Sequence, residues 1–332
     1  MKLLLLGGNF SKKDEDTINN NSKVVVQNAA NIFQWNMING FREALKNDFY
    51  IVSAPFINSF PKGYRKVIYK GFCENVNEKY VSFFNFFGIR NISRYNHLKK
   101  AIMNFAKIED NDKYVIVYSP HVPLLKAAYY LKKYDKSIKI ILLLPDLPEF
   151  VTLTKSRSLL YRLIKPYDIK KFYFYSLKFD KYIFLTKQMN EIVNKKNAPY
   201  TIVEGIVNDD KKEKDKLKWK YKDNKVVSYT GTLDEKYGIK NLVEAFMMIK
   251  NKDFRLIICG QGDCDNYINE CKKIDSRIVF DGKVSADEAK YIQVNSDLLV
   301  NPRQNIEEFT KFSFPSKNLE YLSTGNPVIA YK

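Results

Sequence analysis

The sequence has 332 residues, of which 45% are hydrophobic and 28% charged, so it holds enough apolar material for one or two folded domains and is not a disordered basic tail. Its net charge of +18 is unevenly spread. Residues 1–200 carry 33 basic and 16 acidic side chains, a net charge of +17, whereas residues 201–332 carry 22 and 21, a net charge of +1. This asymmetry predicts an anionic partner for the N-terminal part alone.

Several classes of protein are excluded by the same composition. No apolar run approaches the roughly 20 residues of a membrane span, and the apolar run Leu3–Leu6 is too short for a signal peptide. The four cysteines show no CxxC spacing and the chain has only two histidines, which argues against a metal site. We therefore expect a soluble cytoplasmic protein with reduced thiols and no metal.

The first part of the chain alternates short apolar runs with longer amphipathic segments, which is typical of an α/β protein with parallel sheets. Strands are predicted at Lys2–Leu6, Phe49–Ser53, Tyr114–Tyr118, Ile138–Leu144, Lys181–Leu185 and Tyr200–Val203, and helices at Gln34–Leu45, His97–Ala106 and Leu124–Tyr134. The charged segment Asn208–Lys225 predicts a solvated loop with a helical patch. It suggests a boundary between two Rossmann-like domains, residues 1–205 and 206–332.

After residue 225 the alternation of predicted strands and helices starts again. Strands are predicted at Val226–Tyr229, Arg255–Cys259, Arg277–Phe280, Asp297–Asn301 and Pro327–Tyr331, and helices at Asn241–Met248, Asp265–Lys273, Ala286–Asn295 and Pro315–Thr324. The chain stops at the last strand with no helix after it. Because a parallel sheet needs both faces covered, we expect the sequence to be a C-terminally incomplete part of a longer protein.

Glycine-bearing turns follow three of these strands, at Gly231, at Gly260 with Gly262, and at Gly282. Ligands of open α/β sheets bind beyond the carboxyl ends of the strands, where glycine lets the backbone come close, although a tight turn alone explains each glycine equally well. None of the turns fits G-x-G-x-x-G, and the chain has no Walker A motif. Dinucleotide and P-loop sites are therefore excluded.

The most informative segment is Ser313–Val328. Pro315 suits a first helical position, and Gly325 with Pro327 ends a helix. The start of that helix, with Ser316 and Lys317, is suited to a diphosphate. Glu320, one turn on, is placed to accept hydrogen bonds from both hydroxyls of a ribose. The alternative is that Glu320 and Lys317 are ordinary surface residues.

This string resembles the donor-binding domain of GT-B glycosyltransferases of family 4, the "glycosyl transferases group 1" class, and in particular its bacterial exopolysaccharide and capsule branch. The matching features, in chain order, are Gly231, Tyr237-Gly238, Gly260 with Gly262, Gly282-Val284, Asn301-Pro302-Arg303 and Ser313–Val328. They cover about residues 226–332. Over residues 1–205 the resemblance rests on strand order and a few positions.

The resemblance implies the GT-B fold, two Rossmann-like domains facing across a cleft, and a nucleoside-diphosphate sugar as donor. It implies that the turn at Gly231–Leu233 and Gly260 approach the phosphates, that the backbone around Val284 meets the base, that Lys317 holds the diphosphate and that Glu320 holds the ribose. It also implies sugar transfer with retention of configuration and without a metal or other cofactor, because fixed positive groups stabilise the leaving diphosphate.

The sequence departs from the family pattern at three positions. Phe312 stands where many members have a Glu, a role that Glu307 or Glu308 would have to fill. Thr232 stands where a basic residue is common after the first glycine, and Tyr237 where a Lys is expected. Lys236 or Arg303 would then supply the missing charge.

In the first half, Tyr118-Ser119-Pro120-His121 and Leu144-Pro145-Asp146 both follow predicted strands. By the resemblance, His121 and Asp146 are candidate catalytic residues near the transferred sugar and the acceptor hydroxyl, and Gly7, Gly8 and Glu204 line the cleft. A structural role for His121, or a turn-capping role for Asp146, remains the alternative.

The stretch Lys155–Lys181 interleaves basic side chains, including Arg157, with aromatic ones. Such a segment fits an interfacial anchor on anionic lipid, or a helix whose aromatic residues are core and whose lysines are solvated. Nucleic acid is not expected, because the chain has no motif for it.

We therefore predict a retaining glycosyltransferase on the inner face of the plasma membrane, acting on a lipid-linked saccharide in surface polysaccharide synthesis. Two alternatives are an epimerase of the same fold and a non-catalytic membrane- or RNA-binding subunit with a decayed site.

Overall fold

A computed structural model describes residues 1–24, 26–110, 112–150, 159–207, 218–304, 308–312 and 314–331. The chain divides into two compact units, Met1–Ile206 and Val207–Lys332. Each unit is built on a mainly parallel sheet, as expected of an α/β protein. In the part of the chain that is described, no helix has the length and apolar character needed to cross a membrane.

The first unit begins with a strand that is buried along almost its whole length. Its strands are β1 (Lys2–Gly7), β2 (Phe49–Ser53), β3 (Ile68–Tyr69), β4 (Cys73–Asn75), β5 (Glu78–Tyr80), β6 (Phe83–Phe84), β7 (Lys113–Tyr118), β8 (Lys139–Leu144), β9 (Lys181–Phe184) and β10 (Tyr200–Ile202). Its helices are α1 (Lys12–Asn21), α2 (Asn28–Leu45), α3 (Arg90–Ala106), α4 (Val122–Tyr134), α5 (Leu159–Ser176) and α6 (Lys187–Val193).

The order of strands places β1 at the centre of the first sheet. That order is β10-β9-β8-β7-β1-β2-β5-β4, with β3 and β6 forming a separate antiparallel pair. All pairings of the large sheet are parallel except β4 with β5. The chain leaves β1 on one side for β2 and later returns on the other side as β7. This is a topological switch point, where open α/β sheets bind ligands beyond their carboxyl ends.

The second unit repeats the design on a smaller scale. Its strands are β11 (Lys225–Thr232), β12 (Phe254–Gln261), β13 (Ile278–Phe280), β14 (Leu298–Asn301) and β15 (Val328–Ala330). Its helices are α7 (Ile239–Met247), α8 (Asp265–Ile274), α9 (Ala286–Asn295) and α10 (Ser316–Leu322). The all-parallel order β13-β12-β11-β14-β15 puts the switch point between β11 and β14.

The predicted strands and helices are confirmed in type, with ends that differ mostly by a few residues. Two corrections concern the second unit. The helix predicted at Pro315–Thr324 is shorter, Ser316–Leu322, because Pro315 caps the helix and the chain turns at Thr324 and Gly325. The segment Asn208–Lys225 was predicted to be a solvated loop, but its C-terminal part belongs to the hydrophobic core. There Trp219 is buried in one cluster with Val226. Residues 208–217 of that segment lie outside the described residues.

Candidate functional site

Glycines at the carboxyl ends of β11 and β12 bring two backbones into direct contact. A Cβ on Gly260 would lie 1.7 Å from the carbonyl oxygen of Gly231, and the φ of Gly260 is +149°. The backbone N–H of Gly260 donates to the carbonyl oxygen of Gly282, 2.8 Å away, in the turn after β13. Because a side chain has no room between these turns, they form one continuous backbone surface at this edge of the sheet.

Lys317 lies over that surface. A Cβ on Gly231 would lie 3.2 Å from Cε of Lys317, which places the lysine stem against the turn after β11. The Lys317 Nζ donates to Oε2 of Glu320 at 3.0 Å, one turn along α10. Sequence reasoning named these three residues, and the structure brings them together at the switch point between β11 and β14.

Glu320 is also held from a second helix. Gln293, which is fully buried on α9, donates through Nε2 to Oε1 of Glu320 at 2.6 Å and to Oγ1 of Thr230 at 2.7 Å. The Tyr321 hydroxyl accepts a hydrogen bond from the Thr230 N–H at 2.9 Å, so α10 is tied to the end of β11. Each carboxylate oxygen retains a second lone pair, and Glu320 can still accept hydrogen bonds from a diol.

Gln293 is the residue of this site that sequence reasoning missed. It lies in the last turn of α9, 27 residues before Glu320, and no local pattern distinguishes it from other polar helix residues. Its Oε1 atom is buried without a hydrogen-bond partner among the described residues. It belongs to the last turn of α9, where Ile292, Gln293, Val294 and Asn295 are all buried.

Two cations gather around Tyr237, just before Gly238. The Lys236 ammonium lies 5.1 Å from the centre of the Tyr237 ring and the Arg303 guanidinium lies 5.9 Å from it. The loop after β14 reaches this turn because Gly238 has no side chain. A Cβ on Gly238 would lie 2.2 Å from the carbonyl oxygen of Pro302. Lys236 also pairs with Asp234 at 3.5 Å.

Other residues predicted for the second unit occupy its edge. Thr232 and Ser316 are exposed, and the Thr232 carbonyl accepts a hydrogen bond from the Tyr229 hydroxyl at 2.8 Å. Val284 is half-buried and packs against the cluster around Trp219. Phe312 is half-buried in a short 3₁₀ turn. Ser313, Glu307 and the side chain of Glu308 lie outside the described residues.

In the first unit, Gly7 and Gly8 end the central strand against two side chains. A Cβ on Gly8 would lie 2.1 Å from the Phe56 ring, and the Gly8 N–H donates to Oε1 of Gln34 at 2.9 Å. The ring centre of Phe56 lies 4.8 Å from that of His121. The ends of β1, β2 and β7 therefore meet, and the glycines and His121 flank the switch point.

His121 is half-buried and lies directly before α4. Burial is the main reason that its pKa is lowered to about 3, and the positive charges of Arg94, Arg90 and Lys165 lower it further. The imidazole is therefore neutral at physiological pH, a form that can donate one hydrogen bond and accept another.

Asp146 and Glu204 are placed separately. Asp146 is half-buried after β8, and its charge contributes to the raised pKa of Tyr118, whose main cause is burial. Glu204 is exposed two residues after β10. Among the described residues, no group of three or more His, Cys, Asp or Glu side chains is arranged to hold a metal ion.

Residues 224–332 match the model of the family "Glycosyl transferases group 1", and no curated protein matches the chain. HepE of Anabaena in complex with UDP is 12% identical over 99% of this chain and 80% of that one, with a TM-score of 0.60. Sucrose-phosphate synthase from Thermosynechococcus elongatus is 12% identical over 99% and 81%, with a TM-score of 0.59.

A third structure, of the lipopolysaccharide outer core galactosyltransferase WaaB, is 16% identical over 99% of this chain and 80% of that one, with a TM-score of 0.52. The predicted fold class is confirmed. The chain has the fold of GT-B glycosyltransferases, and its C-terminal residues 224–332 are similar to the group 1 family.

Proposed function

We propose that the protein is a retaining glycosyltransferase that takes its sugar from a nucleoside-diphosphate sugar. The observation that carries the proposal is the contact set of Gly231, Lys317, Glu320 and Gln293 at the switch point of the second sheet. This set lies within the residues that match the group 1 family. The likeness to HepE, whose structures contain UDP or UDP-glucose, supports a nucleotide-sugar donor.

In the proposed site each group has one task. The backbone of the Gly231 and Gly260 turns lies against the diphosphate, since no side chain separates the two. The Lys317 ammonium, with Arg303 and Lys236 nearby, stabilises the negative charge that develops on the leaving diphosphate. Glu320 accepts hydrogen bonds from the ribose hydroxyls, and no metal is required. In the first unit, the neutral imidazole of His121 and the carboxylate of Asp146 lie near the transferred sugar and the acceptor hydroxyl.

The proposed acceptor is a lipid-linked saccharide, used in surface polysaccharide synthesis on the cytoplasmic face of the plasma membrane. Charge supports this, because the excess of basic residues lies in the first unit. Helix α5 adds apolar side chains to that charge: Leu163, Tyr167 and Phe174 are 76%, 59% and 54% exposed. Phe172 of the same helix is fully buried, so α5 is partly core and partly a candidate lipid surface.

A second set of exposed apolar residues lies between β3 and the start of α3. We call it the apolar patch; its members are Val67, Ile68, Phe84, Phe86, Ile89 and Ile92, each at least 40% exposed. Ile68 pairs with Phe84 across β3 and β6. Residues 51–100, which include the patch, carry nine basic and two acidic side chains. An exposed apolar set within basic surroundings fits an anionic lipid surface.

Nucleotide binding by the Glu320 variant tests the donor site. We expect the wild-type chain to bind at least one of UDP, GDP, ADP and CDP in calorimetric titration. Glu320→Ala should weaken that binding about tenfold or more, because charged hydrogen bonds contribute about 1.5–3 kcal/mol each. Lys317→Ala should weaken binding of the nucleoside diphosphate more than binding of the corresponding nucleoside, because the Lys317 ammonium faces the phosphates in the proposed site.

Glu270→Ala is the matched control, because Glu270 is an exposed glutamate of α8 whose partner is Lys273. It should bind nucleotide as the wild type does. Absence of binding by the wild type to all four diphosphates would overturn the donor proposal. Binding with release of an isomerised nucleotide-sugar in the absence of acceptor would identify an epimerase instead.

A further inference from the structure

Arg94 is a buried cation on α3. Its side chain is 4% exposed, and its Nη2 donates to the carbonyl oxygen of Pro55 at 2.7 Å. The guanidinium lies 4.3 Å from the centre of the Phe83 ring. Its Nε is buried without a hydrogen-bond partner among the described residues. Arg94 therefore has a neutral carbonyl and an aromatic ring as its observed partners.

A buried charge without a countercharge is costly, because desolvation is not repaid by an ion pair. Burial lowers the pKa of Arg94, and the charge of Arg90, a second cation, lowers it further. Arg90 lies one turn earlier on α3 and donates to the carbonyl oxygen of Ile57 at 3.4 Å. The pair places two guanidinium groups beside the segment that follows β2.

The same cations act electrostatically on His121, the candidate catalytic histidine. Arg94, Arg90 and Lys165 all act on His121, and Lys165 donates to the carbonyl oxygen of Pro148 in the loop after β8. Asp168 of α5 is a carboxylate on which Arg90, Lys165 and Lys171 act. It is half-buried, and burial raises its pKa. Three cations, Arg94, Arg90 and Lys165, therefore act on His121.

We propose that Arg94 and Arg90, together with Lys165 and His121, bind a phosphate or diphosphate group of the acceptor. Guanidinium groups suit phosphate because their N–H groups form paired, charge-assisted hydrogen bonds with its oxygens. The anion would supply the countercharge that Arg94 lacks, and the Nε–H would gain an acceptor.

This inference rests on the proposed function and narrows its substrate class. His121 is the candidate catalytic residue of the first unit, so an anion beside it lies close to the accepting hydroxyl. The acceptor would then be a sugar whose phosphate or diphosphate lies within about one sugar ring of that hydroxyl. A long saccharide with a distant phosphate would not use the site.

The two histidines of the chain make a direct binding test possible. His97 is exposed on α3, with Nδ1 2.8 Å from the Ser93 carbonyl oxygen, and serves as an internal reference for His121. Inorganic pyrophosphate is titrated at neutral pH while the ring carbon and proton resonances of both histidines are recorded. We expect a saturable shift of the His121 resonances and a small, linear shift of those of His97.

Arg94→Gln keeps an N–H donor for the Pro55 carbonyl but removes the charge. It should weaken pyrophosphate binding about tenfold or more, and pyrophosphate should raise the melting temperature of the wild type but not of this variant. Lys100→Gln, an exposed position of the same helix, should behave as the wild type. If Arg94→Gln does not fold, Arg90→Gln and Lys165→Gln must each weaken binding.

The source of the anion is resolved by three further ligands. A glycosyl phosphate and a short-chain lipid-diphosphate sugar should both shift the His121 resonances, and both shifts should depend on Arg94. If UDP shifts His121 and Glu320→Ala removes that shift, the site serves the donor and the acceptor assignment is wrong. The anion site would be overturned if the His121 resonances shifted linearly with pyrophosphate concentration, or if they shifted equally in the wild type and in Arg94→Gln. Either result would count whether or not the donor site binds nucleotide.

Discussion

Gly260 occupies a position that other residues cannot share. Its Cα faces the carbonyl oxygen of Gly231 so closely that an added Cβ would lie 1.7 Å away, and its φ of +149° is strained for any L side chain. The two turns it joins form the backbone surface beneath Lys317. A change at Gly260 therefore alters both stability and the candidate donor site.

We expect Gly260→Ala to lower the free energy of unfolding by about 3 kcal/mol or more, the upper part of the range for single substitutions. Gly282→Ala is the matched control: its φ is also positive, at +67°, but no atom lies within 4 Å of an added Cβ. That change should cost about 1–2 kcal/mol. Urea denaturation measures both, and equal losses would contradict the close contact as the cause.

Residues such as Gln293 and Arg94 show what sequence reasoning could not reach. Lys317 and Glu320 are three positions apart on one helix, so their pairing follows from local spacing. Gln293 meets Glu320 only because α9 and α10 both pack at the switch point of the sheet. The burial of Arg94 likewise depends on Pro55 and Phe83, which lie 39 and 11 residues earlier in the chain. Such contacts have no local pattern.

At the scale of elements, α9 is fixed at its start by a capping box. The Ser285 Oγ accepts from the Glu288 N–H at 3.2 Å, and the Glu288 carboxylate accepts from the Ser285 N–H at 2.9 Å. The hydrogen bonds from the Ser285 N–H and hydroxyl to the Glu288 carboxylate lower the pKa of Glu288. The carboxylate half of the cap is therefore fully present above the ordinary pKa of a glutamate and is lost as the pH falls through the lowered pKa.

We expect Ser285→Ala to lower the free energy of unfolding by about 1 kcal/mol at neutral pH, with a smaller loss of nucleotide affinity, because Gln293 lies two turns further along α9. Ser285→Thr retains the hydroxyl and should stay close to the wild type. Denaturation of the three proteins at neutral and at acidic pH checks this. Part of the loss should persist in acid, because the Ser285 Oγ still accepts from the Glu288 N–H, and equal stability of Ser285→Ala and the wild type at neutral pH would contradict the cap.

Regular elements were predictable where one period dominates. The apolar run Leu3–Leu6 followed by two glycines indicates a buried strand and a turn, and both are present. Helix α5 was harder, because aromatic residues lie on more than one side of it: Phe172 is buried whereas Phe174 is 54% exposed. The short strands β3 and β6 have only two residues each, too few for any period to be recognised.

At the scale of the whole molecule, the two units differ in charge far more than in fold. Both carry a parallel sheet with a switch point, but the net charge of residues 1–200 is +17 and that of residues 201–332 is +1. Folding alone does not require such a division. It is expected if one unit meets an anionic lipid surface and the other meets a single nucleotide.

Binding to vesicles tests this division. We expect the full chain to sediment with vesicles that contain anionic lipid, to bind neutral vesicles weakly, and to be released as salt shortens the screening length. Leu163→Ser and Ile92→Ser should each weaken binding, because exposed apolar groups insert into the interface. Met248→Ser is the control, since Met248 is 81% exposed but belongs to the second unit. Equal binding to neutral vesicles would contradict the proposal.

The two hydrogen bonds already made by Glu320 have a consequence for ligand choice. Its oxygens accept from Gln293 and from Lys317, so in the proposed site a ribose would share the carboxylate with two internal donors. In the proposed site a diphosphate would give the Lys317 ammonium another anion to bind, and Glu320 would then have further lone pairs for the sugar hydroxyls. A nucleoside without phosphates would offer no such exchange. We therefore expect the lysine–glutamate pair, as well as the phosphate contacts, to discriminate between nucleoside and nucleotide.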